Sequence, residues 1–274
     1  MSRPHTPSSA TGSCFRTDAD GNIPLSRDWL GLLTGARRLP LVVLQTRNAY
    51  ARLVTLAPFP VLTWSPARDL AQTESGDLTL QPSRWRQAYA RLAHCSCCGS
   101  VGKIQVFDTA GAECLQLCAH PDTEPAAWSR FLEPFAAPLN ATLRTAPAGV
   151  YYEGIPFDNT DGTSLHDTAL LSILLELLSA EEITFSCTLH SSSVTQHRDL
   201  TPRRVSCRNG LLCISDGITT LQVTLPAVRH LAVRPRRIDL IGIDGTSLVT
   251  LRPAGTLDGA CLWSATLQAA LARI

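Results

Sequence analysis

One local pattern occurs twice in this chain and limits what it can fold into. A strand over Lys103–Asp108 runs into an Asp-x-x-Gly turn ending at Gly111. A second strand, Asp239-Leu-Ile-Gly-Ile-Asp-Gly245, runs into an Asp-Gly turn. Aspartate and glycine supply the local hydrogen bond and the positive φ that tight turns need. Each turn is followed by a return strand and then by an amphipathic helix carrying one tryptophan, Trp128 or Trp263. A hairpin followed by a helix is common, and a chance match is one reading. The tryptophan recurring about twenty residues after each turn argues for duplication.

The segments around the two copies fit that scheme. In the first half, Ser26 is the expected cap of a helix whose apolar face is Trp29, Leu30, Leu32 and Leu33, with Gly35 ending it. Leu39 to Gln45 reads as a buried strand, with alternation resuming through Ala49 to Leu56, and a short strand spans Leu78 to Leu80. Trp85, Ala88, Tyr89 and Leu92 fall at i, i+3, i+4 and i+7, which predicts a helix capped by Ser83. Asp122 or Thr123 opens a helix, with Pro125 near its first turn, whose apolar face is Trp128, Phe131, Leu132 and Phe135. Ser164 is the expected cap of a helix to about Ser179 that buries Leu170, Leu171, Leu174, Leu175 and Leu178, with Asp167 completing its capping box. Beyond Ile183 the pattern predicts strands at 183–189, 203–208, 211–215, 219–225, 228–233, 237–243 and 246–252, then a last helix over 259–272.

The expected fold is α+β: two tandem diverged repeats, each an antiparallel sheet with helices on one face, and a cleft between the halves. The expected divisions are a disordered leader over 1–23, an N-terminal repeat over 24–137, a connector over 138–180 and a C-terminal repeat over 181–274.

Charge excludes some partners. The formal net charge is +1, from 24 basic and 23 acidic residues. That balance offers no bulk attraction to nucleic acid or an anionic membrane. No apolar run reaches the roughly 18 residues of a membrane span, and the first residues lack the apolar stretch of a signal peptide. The reading is a cytoplasmic protein whose ten cysteines are mostly reduced. His94, Cys95, Cys97 and Cys98, with Cys114, Cys118 and His120 on the nearby hairpin, raise zinc as a possibility. Their spacing matches paired Cys-x(2–4)-Cys knuckles poorly, and a Cys-rich loop without a metal is the better reading.

Several segments together resemble the bacterial cytoplasmic haemin-degrading or haem-trafficking factors. Leu44-Gln-Thr-Arg-Asn48 resembles the family's Leu-Thr-Arg-Asn strand end. Ser75-Gly-Asp-Leu-Thr-Leu80 followed by Trp85 is similar to its Asp-Leu-Arg strand and tryptophan segment. Ile104-Gln-Val-Phe-Asp108 with Gly111 resembles its Leu-Gln-Phe-Phe-Asp-x-x-Gly hairpin. In the second half, Ile183-Thr-Phe-Ser, Asn209-Gly-Leu-Leu-Cys-Ile-Ser-Asp216, Leu221-Gln-Val-Thr-Leu225 and Val233-Arg-Pro235 follow in the family's order. The likeness covers roughly residues 26 to 272, and its weight lies in that order.

The resemblance implies one haem, bound between the halves, with its iron held by an axial histidine at a helix start in the connector. Thr163-Ser-Leu-His166-Asp167 occupies that place. A helix N-terminus disfavours a protonated imidazole, so His166 would stay neutral and able to ligate iron. The bland alternative is a first-turn histidine with no ligand. Lys103, Arg234 and Arg236 are the expected cofactor-binding cations for haem propionates. The resemblance further implies a haem importer or a haem oxygenase as partner, and a monomer or homodimer.

Two departures stand out. The family's longer helical stretch before the second sheet is missing. Gly102 and Lys103 stand where the family tends to carry arginine. Three functions stay open on these residues: a haem carrier, an oxygen-dependent haem-degrading enzyme, or a degenerate homologue acting as a non-haem interaction or regulatory module.

Overall fold

The computed structural model describes residues 15–18, 20–92, 102–138, 165–255 and 257–274. The first half supplies β1 (Ile23–Pro24), α1 (Trp29–Ala36), β2 (Val42–Arg47), β3 (Ala51–Ala57), β4 (Thr63–Ser65), β5 (Leu70–Gln72), β6 (Leu78–Leu80), β7 (Trp85–Arg91), β8 (Lys103–Asp108), β9 (Glu113–Ala119) and α2 (Pro125–Leu132). The second supplies α3 (Leu165–Ala180), β10 (Phe185–His190), β11 (Val194–Leu200), β12 (Arg204–Arg208), β13 (Leu211–Ser215), β14 (Thr219–Thr224), β15 (Val228–Arg234), β16 (Arg237–Gly242), β17 (Ser247–Pro253) and α4 (Leu257–Leu271).

Two expectations are corrected. α1 is capped by Asp28, whose side chain accepts from Gly31 N at 2.9 Å. Ser26 lies outside the helix, its N–H donating to Phe135 O. The expected helix over Trp85–Leu92 is the strand β7. A bulge between Trp85 and Gln87 breaks the period of two, and Ala88 and Ala90 face one way while Tyr89 faces the other. With both faces buried, the apolar residues fall at helical intervals by coincidence. β11 was not anticipated: two of its inward positions are Gln196 and Arg198, so no apolar alternation marks it.

The strands form two antiparallel sheets. One has nine strands in the order β1-β7-β8-β9-β2-β3-β14-β13-β12, the other eight in the order β15-β16-β17-β10-β11-β6-β5-β4. β4–β6 thus pair on the second-half sheet through β6 and β11, and β12–β14 pair on the first-half sheet through β14 and β3. Apart from the short edge strand β1, the two orders match strand for strand, which is the arrangement a duplicated unit produces when each copy lends three strands to the other.

One face of each sheet is lined by the core. Ile104, Val106, Leu115 and Leu117 pack with Trp128, Leu132, Leu32 and Leu33 in one cluster. Phe185, Leu189, Ile238, Leu240 and Leu251 pack with Leu174, Leu178 and Trp263 in the other. Because strands cross over, each cluster draws on both sheets: Leu78, Leu80 and Val194 join the first, and Leu53, Leu221 and Ile214 the second. Burial of this extent is the main stabilising term, about 1.5–3 kcal/mol for each fully buried Leu, Ile or Phe side chain.

Candidate functional site

Not all buried residues belong to these cores. On the nine-stranded sheet, Tyr89, Phe107 and Cys118 are buried yet join neither cluster. Register explains why. Arg91 lies opposite Lys103, Lys103 opposite Cys118, and Cys118 opposite Val43. The next row runs Tyr89, Gln105, Gln116 and Gln45. Residues opposite one another share a face, and the core residues Ile104 and Leu117 occupy the alternate rows. These two rows therefore lie on the face turned away from the core. The buried apolar residues of α1, α2, α3 and α4 all lie in the two clusters.

The patch is half apolar and half polar. The Tyr89 and Phe107 rings meet edge to face, 6.0 Å between centroids at 75°. Burial, aided by the charge of Asp18, pushes the Tyr89 hydroxyl above its ordinary value. Gln45 and Gln116 are buried beside them, and Lys103 is only 7% exposed. A lysine ammonium is among the side chains least often buried. At the far end of the patch, Gln105 Nε2 and Arg47 Nη1 both reach Glu113 Oε2, at 2.9 and 3.2 Å.

Gly102 precedes Lys103 for a steric reason. A Cβ added there would lie 2.1 Å from Nε1 of Trp128, which is fully buried. Closure of α2 on the sheet thus excludes any side chain at position 102, arginine included, and Lys103 is the first position that can carry a cation at this end of β8.

His166 is the second residue of α3, and its side chain lies outside the described residues. Its neighbour Asp167 is described. Asp167 Oδ2 accepts from Leu231 N at 3.3 Å, tying the first turn of α3 to β15. A carboxylate there also complements the helix dipole.

Arg234 ends β15 and Arg236 lies in the turn that follows; both are exposed. They belong to the eight-stranded sheet, whereas Lys103 belongs to the nine-stranded one. These three candidate cations do not share a face. The His94–Cys98 loop lies outside the described residues. Cys114 is buried in the core with Sγ directed at Val106 O, 3.4 Å away, while Cys118 lies on the opposite face and accepts from Gln116 Nε2 at 2.9 Å. Tyr89, Gln105 and Gln116 were missed as site residues. Reading β7 as a helix concealed the cross-strand rows that bring them to Lys103.

Compared in three dimensions, the chain shares its fold with bacterial haem proteins. It matches holo-PhuS, a heme-binding protein from Pseudomonas aeruginosa, with a TM-score of 0.69 at 16% identity over 89% of this chain and 86% of that one. It matches ChuS, a heme degrading enzyme of Escherichia coli O157:H7, with a TM-score of 0.70 at 16% identity over 91% and 86%. A further ChuS structure, described as an E. coli heme oxygenase, gives 0.65 at 16% over 92% and 89%. No family model matches the sequence, and neither does any curated protein. At this identity the likeness establishes the fold: α+β, with two antiparallel sheets, as the sequence resemblance implied.

Proposed function

We propose that the chain is a cytoplasmic haem-binding protein of haem utilisation, with His166 as axial ligand and Lys103 meeting a propionate. The observation that carries this reading is the buried patch around Lys103 that belongs to neither core. Its residue types fit the group. Haem is flat and apolar on both faces, which suits the Tyr89–Phe107 pair. It is anionic at its propionate edge, which suits a buried ammonium. PhuS and ChuS, which share the fold, are named for binding and degrading heme.

When bound, haem supplies redox and oxygen chemistry at its iron. The protein's part is to bind, orient and exclude water. Tyr89 and Phe107 line the patch with apolar rings, and Lys103 supplies one point charge rather than a fork. Among the described residues no helix is long and apolar enough to cross a membrane.

The test is a haemin titration followed at the Soret band. A saturable one-to-one shift is expected for the wild type, with loss of the shift in His166→Ala. Lys103→Met should weaken binding about tenfold, as losing roughly 1.4 kcal/mol does. Absence of a saturable shift in the folded wild-type protein overturns the proposal. Bleaching of the bound haem by ascorbate under oxygen would replace carriage with degradation.

A further inference from the structure

The two basic residues that fall away from Lys103 form part of a second feature. On the outer face of the eight-stranded sheet, Arg234 lies opposite Arg237. Ile238 lies opposite Leu251, which puts Arg237 alongside Arg252, and Arg252 lies opposite Ser186. Three arginines on three successive strands thus share one row, and Arg236 stands at its end in the β15–β16 turn. Adjacent strands are about 4.8 Å apart, so the row spans roughly 10 Å.

The carboxylates facing this row are Asp239 and Asp199. Asp239 is buried and already taken: Arg237 Nε donates to it at 2.6 and 2.8 Å, and Thr250 Oγ1 at 2.6 Å. Asp199 lies beyond Ser186, which donates to it, and 3.9 Å from His197 Nε2. Arg234, Arg236 and Arg252 are exposed and form no ion pair among the described residues. Net charge near zero for the whole chain makes this concentration local.

We propose that this row is a docking surface for an acidic helix of a partner protein. The match is geometric as well as electrostatic. On a helix, carboxylates at i, i+4 and i+7 lie along one stripe about 10 Å long, at 1.5 Å rise per residue. That is the length of the arginine row, and guanidinium forks suit carboxylates. Pro235, in the turn between Arg234 and Arg236, gives the row the mixed apolar and arginine character of protein contacts. Asp199, exposed at the end of the row, opposes a continuous phosphate backbone. None of this depends on haem.

The test uses the full chain and two synthetic helical peptides of identical composition. In one, glutamates at i, i+4 and i+7 form a single stripe; in the other they are spread around the helix. The striped peptide should bind about tenfold more tightly at low salt, with binding falling as salt rises. Arg234→Ser and Arg252→Ser should each weaken it about fivefold, with circular dichroism checking that both variants fold. Arg204→Ser and Arg208→Ser, on the edge strand of the other sheet, should leave it unchanged. Equal binding of the two peptides, no binding, equal loss in the Arg204 and Arg208 variants, or stronger binding to duplex DNA or anionic vesicles would each overturn the proposal.

Discussion

Asn48 and Leu248 are joined across the two sheets: Asn48 Nδ2 donates to Leu248 O at 2.9 Å and to His190 O at 3.1 Å. Asn48 sits in the β2–β3 turn of the nine-stranded sheet, and both carbonyls belong to the eight-stranded one. The reciprocal tie runs from the β10–β11 turn, where Ser192 donates to Asp108, Trp85 Nε1 donates to Ser193 Oγ at 3.0 Å and Arg84 Nη1 donates to Ser192 O at 2.7 Å. Each sheet's central hairpin is pinned into the opposite sheet. Asn48→Ala removes both cross-sheet bonds and the turn bonds from Tyr50 N and Ala51 N. A loss of about 2 kcal/mol is expected in denaturant unfolding; a loss under about 0.5 kcal/mol would show the tie to be incidental.

Gly102 is fixed by Trp128, so Gly102→Ala should destabilise by about 1–3 kcal/mol through overpacking, because a fully buried indole has no room to retreat. Thermal unfolding checks this. A double change, Gly102→Ala with Trp128→Phe, should recover part of the loss, since it removes the contacting Nε1 edge.

Thiol reactivity should separate the cysteines. Burial pushes Cys114 and Cys187 up to about 12, and both lie within the core. Cys207 and Cys261 are exposed. Iodoacetamide at pH 8 followed by peptide mass mapping should label Cys207 and Cys261 well ahead of Cys114 and Cys187, which stay protected until the chain unfolds. Early labelling of Cys187 would contradict the packing described for β10.

Asp239 gives a pH signature. Burial works against its charge, but the Thr250 and Arg237 hydrogen bonds outweigh burial and hold the carboxyl below its ordinary value of 3.8. A carboxyl depressed in the folded state adds stability above its unfolded value, and that contribution disappears as pH falls through the folded value. Asp239→Asn should therefore be less stable than the wild type at pH 7, with the gap closing below about pH 4. A gap that is constant with pH would assign the loss to shape rather than charge.

Local pattern determined much of this protein. The Asp-x-x-Gly and Asp-Gly turns marked β8–β9 and β16–β17, the leucines at 170, 171, 174, 175 and 178 marked α3, and Trp128 and Trp263 marked the helices that close the two cores. These signals are legible because a period of two or 3.6 and a turn's φ requirement act over a few residues. Tertiary structure decided the rest. It turned Trp85–Arg91 into a strand, because pairing with β8 outweighed a helical spacing of apolar residues. It made Val194–Leu200 a strand despite Gln196 and Arg198 on its inner side, exchanged three strands between the halves, and set Lys103 beside Tyr89 and Gln116 while carrying Arg234 to Arg252 on another sheet. Which strands neighbour one another is fixed by burial shared between distant segments, and no short stretch of sequence carries that information.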